Sequence, residues 1–157
     1  MAQSLAQIFV HVVFSTKYRE NIIVAEDLSE LFAYIGGTLN KIGCPTIIVG
    51  GVSNHVHVLC SLNKNLSVAK LIERVKRSSN LWLRKKKNSY LQFEWQDGYA
   101  AFSVSRGRID NVVNYIRNQA EHHKKRTYEE ELLWFLEETG LNYNPDYLFD
   151  RPQGWFD

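Results

Sequence analysis

No stretch of the 157-residue chain approaches the roughly 18 consecutive apolar residues of a membrane-spanning helix. The N-terminal "MAQSLAQIFVHVVF" has no basic segment ahead of its apolar run, so it lacks the pattern of a secretory leader. A cytoplasmic protein is the expectation. Cysteine is scarce: Cys44 and Cys60 are too few for a disulfide framework and wrongly spaced for a zinc ribbon, which leaves buried thiols in a reducing compartment. Internal repeats, low-complexity tracts and linkers are missing too, and one domain over residues 1–157 is expected. The absence of an H-E-x-x-H run argues against a hydrolytic zinc enzyme. Acidic residues are nearly missing from 64 to 87, where nine basic side chains face Glu73 alone, whereas from 129 to 157 eight acidic residues face only Arg151. One part of the chain is suited to a polyanion and another is not.

What is present suffices for a packed core: 45% of the residues are hydrophobic and 23% charged. "IFVHVVF" reads as a strand with Ile8, Val10, Val12 and Phe14 on one face and His11 on the other. "LSELFAYIGGTLNKIG" reads as a helix, opened by a capping-box-like Asp27 and Glu30 and stopped by Gly43 and Pro45. "PTIIVG" and "HVHVLCS" form a hairpin across a loop of about five residues, which would set Val49 opposite His55 and Cys44 opposite Cys60. Ser67 can cap a helix over "SVAKLIERVKRSSNLWLRKKK". "AAFSVS" is a fourth strand. "RIDNVVNYIRNQAEHHKKR" reads as one helix, with Ile109, Val112, Val113 and Ile116 at i, i+3, i+4 and i+7. A short acidic helix ends at Gly140, and an irregular tail follows.

The order is that of an α+β, ferredoxin-like split βαβ fold, with a four- to five-stranded antiparallel sheet, two helices on one face and an additional C-terminal helix. His11, His55 and His57 would share the open face, a surface nucleic-acid-binding modules often use.

Three groups of residues carry candidate chemistry. His55 and His57 point the same way from one strand, close enough to grip a metal ion, although such a pair can equally be two polar groups on a wet sheet face. Lys70, Arg74 and Arg77 form a stripe at i, i+4 and i+7 opposite the apolar side of their helix; a solvated face is the plain reading, but the scarcity of acids there favours phosphate contact. Tyr115 and Gln119 lie one above the other, with His122 and Arg126 continuing the line.

Taken in this order, "HVVFSTKYRE", "NHVHVL", "LIERVKRSS", "WQDGYAAFSVS" and "YIRNQ" resemble the HUH superfamily of nucleases, and within it the single-tyrosine transposases of short insertion sequences. The resemblance covers about residues 8–126 and leaves 127–157 as a C-terminal helix and tail outside that core. It implies a Mg2+ or Mn2+ ion held by His55, His57 and Gln119, and Tyr115 as the nucleophile that forms a 5′-phosphotyrosine with single-stranded DNA. It further implies DNA contacts from Lys70, Arg74, Arg77, His11 and His122, substrates with hairpin ends, and a homodimer whose sites draw on both chains. One departure is Asn54, where an aspartate is usual. The alternative is a non-catalytic ferredoxin-like module for single-stranded nucleic acid, in which the same histidines and tyrosine stack or hydrogen-bond.

Overall fold

The structure, a computed structural model, describes residues 2–149. Four strands, β1 (Phe9–Ser15), β2 (Thr46–Val52), β3 (His55–Ser61) and β4 (Ala100–Val104), form one antiparallel sheet in the order β2-β3-β1-β4. The first and third strands are therefore central, as the split βαβ order requires.

Period-two patterning sorts these strands into two faces. Val10, Val12 and Phe14 of β1 and Val56, Val58 and Cys60 of β3 point into the main core. There they meet α1 (Leu28–Lys41) and α2 (Val68–Lys86), through Leu31, Ile35 and Leu39 of the first and Leu71, Ile72, Val75 and Leu83 of the second. Ser67 caps α2 as expected, its hydroxyl accepting from the Lys70 N–H at 3.1 Å. Asp27 does not cap α1; its carboxylate accepts from the Tyr90 hydroxyl at 2.6 Å and pairs with Lys87 at 2.8 Å. Lys86 pairs with Glu30. The last lysines of the basic run thus tie α2 to the start of α1 instead of standing free.

The other sheet face, expected to be open, is covered. α3 (Ile109–Arg117), α4 (Gln119–His122) and α5 (Tyr128–Thr139) follow β4, and a last short turn, α6, spans Pro145–Leu148. Tyr128, Leu132 and Leu136 of α5 form a second cluster with Val13 and Phe102. The single helix expected over 108–126 is broken: Asn118 leaves helical geometry at φ −96°, ψ 21° and separates α3 from α4. α5 is sharply delimited by a Thr127/Glu130 capping box and by Gly140 in the left-handed region at φ 68°, which suits glycine.

The hairpin differs in register. Val52 pairs with His55 and Val49 with Val58, so only Ser53 and Asn54 form the turn, and Thr46 rather than Cys44 lies opposite Cys60. The Gly50-Gly51 pair looks like turn chemistry, but both glycines belong to β2. Gly50 is where α3 comes closest: a Cβ there would stand 2.8 Å from the backbone oxygen of Ile116, the residue after Tyr115. Its missing side chain lets the tyrosine helix settle onto the sheet.

Candidate metal and nucleophile site

His55 and His57 project from β3 into the second, covered face and are fully buried. Directly above them is a residue that local patterning does not single out, Glu131 of α5, itself 1% exposed. Its Oε1 lies 2.9 Å from His57 Nε2 and 3.4 Å from His55 Nε2. Helical spacing explains its position. Tyr128, Leu132, Phe135 and Leu136 face the sheet, and Glu131 sits within that stripe, three residues after Tyr128 and four before Phe135. The start of α5 is anchored by Arg19, whose Nε–H donates to Glu129 at 2.7 Å.

The second oxygen of Glu131 gathers the remaining groups. The Tyr115 hydroxyl donates to Oε2, Gln119 Nε2 lies 3.2 Å from it, and His123 Nε2 lies 3.1 Å from it. Gln119 Oε1 approaches His55 Nε2 at 3.0 Å and His123 Nε2 at 2.9 Å. Tyr115 and Gln119 still converge despite the break between their helices, because both reach the same carboxylate.

The outer nitrogens of the two histidines determine what the inner ones present. Asn54 Nδ2 donates to the Arg19 carbonyl, which orients its Oδ1 toward His55 Nδ1 at 2.7 Å. His55 therefore carries its proton on Nδ1 and presents a lone pair at Nε2. Asparagine thus supports His55 in the place where an aspartate is usual. His57 Nδ1 lies 2.8 Å from His11 Nε2, and donation in that direction likewise leaves a lone pair on His57 Nε2. Burial pushes His55 down to about 4; burial, aided by nearby His57, pushes His11 down to about 3, so both rings are neutral near pH 7. Burial by itself would raise the Glu131 carboxyl, but hydrogen bonding, first of all from His123, outweighs it and holds the group well below the usual carboxylate range.

This donor set fits a cation. The Nε2 lone pairs of His55 and His57 and the oxygens of Gln119 and Glu131 face one another with no apolar group between them. One ligand atom each from His55, His57 and Glu131 lies within 4.8 Å of the others, the arrangement among the described residues that could hold a metal ion. Two nitrogens with carboxylate and amide oxygens suit a first-row divalent ion such as manganese, with magnesium needing more oxygen from substrate or water.

Other candidate residues fall elsewhere. His11 was expected to touch DNA on an open face; it is 3% exposed, stacked on His57 with ring centroids 5.1 Å apart, and reaches the site only through that ring. His122 is exposed and stacks on Tyr115 at 4.8 Å. Lys70, Arg74 and Arg77 are exposed on α2, across the sheet from the histidines, and Lys70 and Arg77 both pair with Glu73. Tyr115 is half-buried; burial and the bond to Glu131 push its hydroxyl well above the usual phenol range. Its outer side lines an open groove of about 810 Å³ with His122, Lys125, Arg126 and Trp134.

Glu131 and His123 were missed. The one signal for the glutamate, its place inside the apolar stripe of α5, is masked by the two acids that precede it. No helix among the described residues is long and apolar enough to cross a membrane.

Comparison with known proteins bears on the family and the fold. A family model described as "Transposase IS200 like" matches residues 4–119. Among solved structures, a provisionally assigned transposase from Deinococcus radiodurans R1 superposes with a TM-score of 0.58 at 19% identity, covering 76% of this chain and 98% of that one. At that identity the likeness speaks for the fold. No curated protein matches the chain.

Proposed function

The chain belongs to the IS200-like transposase family, and from that premise we propose that it cuts and rejoins single-stranded DNA through Tyr115, assisted by a divalent metal ion. The observation that carries this is the meeting of Tyr115 with the buried donor set on a single carboxylate: Oε1 of Glu131 faces the two histidines, and Oε2 accepts from the tyrosine hydroxyl.

His55, His57 and Glu131 would hold the ion, with Gln119 Oε1 beside them. A bound Mg2+ or Mn2+ ion would polarise the scissile phosphate and stabilise the charge that develops on its oxygens. Glu131 Oε2 accepts the hydrogen bond of the Tyr115 hydroxyl and so aims its oxygen, and the proton leaves to solvent as that oxygen attacks. Tyr115 Oη forms a bond to phosphorus as the P–O3′ bond breaks, and the departing oxygen takes a proton to become a free 3′-hydroxyl. The 5′-phosphotyrosine conserves the phosphodiester, so attack by another strand's 3′-hydroxyl restores both the DNA and the tyrosine with no nucleotide cofactor. His11 and Asn54 hold the ring tautomers that keep the inner nitrogens unprotonated. The test is a denaturing gel of protein incubated with labelled single-stranded DNA bearing its native flanks. A slow-migrating covalent species should appear with manganese and disappear with a chelator, and cleavage without it would point to hydrolysis instead.

Lys70, Arg74 and Arg77 act on this reading as phosphate holders, as expected for a basic stripe far from the chemistry. Replacing all three with alanine should weaken binding of every single strand alike. The slope of log affinity against log salt should flatten by up to about two units, fewer if Glu73 already occupies Lys70 and Arg77. A triple variant with an unchanged slope would remove the stripe from the DNA path.

The homodimer is a further proposal, drawn from the family resemblance. Leu141, Tyr143 and Tyr147 are exposed apolar surface that a second copy would cover. Light scattering should return twice the 18.3 kDa of one chain. A monomer at micromolar concentration would count against it, and a monomer that still forms the adduct would place the whole site within one chain.

A further inference from the structure

The groove outside Tyr115 is built differently from the donor set inside it. Trp134 is 42% exposed although it follows directly from the buried stripe of α5. Its indole stands edge-on to Phe135 at 5.1 Å, Phe135 meets Tyr115 at 5.6 Å, and Tyr115 stacks on His122 at 4.8 Å. An aromatic path thus runs from open solvent to the tyrosine. The charged groups beside it are cationic in balance: the Arg126 guanidinium lies 5.7 Å from the centre of the Trp134 ring, Lys125 is exposed nearby, and Glu121 is already paired with Lys124 at 2.9 Å. The cavity, about 810 Å³, has ample room for a nucleotide. An exposed indole flanked by cations, next to the residue that must reach a phosphate, is the combination that holds unpaired bases.

We propose that this groove is a subsite for one unpaired nucleobase of the strand being cut, which stacks on Trp134 while Arg126 and Lys125 hold the adjoining phosphates. It rests on the single-strand reading of the function and adds to it a base-binding position contributed by α5 and the segment before it. A base seated here brings its own phosphate toward Tyr115, so the subsite selects strands with an unpaired nucleotide at the cut. A duplex, whose bases are already stacked on one another, cannot offer one without unpairing.

The test uses the full chain and two fluorescent probes, a short oligothymidylate and an abasic oligomer of the same length, which carries the phosphates without the bases. Trp134→Leu keeps apolar bulk and removes the broad π face; Trp134→Phe keeps a smaller one. Trp134→Leu should weaken oligothymidylate about tenfold or more and leave the abasic strand unchanged, with Trp134→Phe in between. Arg126→Ala should weaken both probes. Equal binding of oligothymidylate by Trp134→Leu and the original protein overturns the subsite, and so does an equal loss on both probes. Loss of dimer in Trp134→Leu with DNA binding intact would likewise overturn it, assigning the indole to a second copy of the chain. If the original protein binds neither probe, the single-strand reading falls with it, an outcome distinct from failure of the subsite alone.

Discussion

Protein carrying Tyr115→Phe is expected to bind single-stranded DNA normally and to form no covalent adduct with it. The substitution deletes one oxygen. The ring keeps its contacts with His57, Phe135 and His122, at centroid distances of 5.8, 5.6 and 4.8 Å. Glu131 Oε2 loses one donor but retains Gln119 and His123, so the carboxylate is not orphaned and stability should fall by no more than about 1 kcal/mol. Without the Tyr115 oxygen no bond to phosphorus can form, and cleavage should fall at least about a thousandfold, because water is not tethered in line with the leaving oxygen as Tyr115 is. His57→Ala should also lose the adduct, but with altered metal binding and the tyrosine still in place. Peptide mapping of the adduct from the unsubstituted protein should locate it on Tyr115. An adduct that survives Tyr115→Phe would refute the tyrosine mechanism.

The second large effect is expected at Glu131. Glu131→Gln keeps the shape and one oxygen but replaces the charge with an amide whose N–H can donate to a histidine lone pair. Without metal, the substituted protein should therefore melt at or above the temperature of the original, since a site where acceptors crowd together gains a donor. With manganese the order should reverse. An ion present at about a hundred times its dissociation constant stabilises the native state by about 2.7 kcal/mol, which for a chain of this size is a rise in Tm of roughly 5–10 °C. That rise should appear in the original protein and largely vanish in Glu131→Gln, together with most of the adduct. Thermal melts with and without manganese decide the matter. An undiminished metal-induced rise in Glu131→Gln would show that the carboxylate is not a ligand.

The contrast between Glu131 and His57 shows what can be read locally. His57 lies in a strand whose alternation assigns it a face, so its neighbour in the donor set, His55, is two residues away and visible. Glu131 is 74 residues from His57 and is the third of three consecutive acids, which makes α5 read as a solvated acidic helix. Only the placement of Tyr128, Leu132 and Leu136 against β1 and β4 turns that glutamate inward. His123 is hidden for a similar reason, since its role depends on the break at Asn118, which apolar periodicity running through Ile116 does not signal. The hairpin register failed on a smaller point: Gly50 and Gly51 look like turn residues, but Gly50 is needed in the strand to admit α3.

By itself the sequence determined the α+β class, the order of the four strands, the faces of β1 and β3, the cap of α2 and the end of α5. These follow from periodicity of two or about 3.6 and from capping chemistry, which act within a few residues of chain. It also carried enough of the motif order to indicate the family. The tertiary structure alone decided that the histidine face is closed rather than open, that a carboxylate from α5 joins the two histidines and the tyrosine, and that His11 is buried against His57. Each of those depends on which distant segment covers the second face of the sheet. Burial is a property of that assembly, and the same Glu131 side chain would be an ordinary surface acid if α5 packed anywhere else.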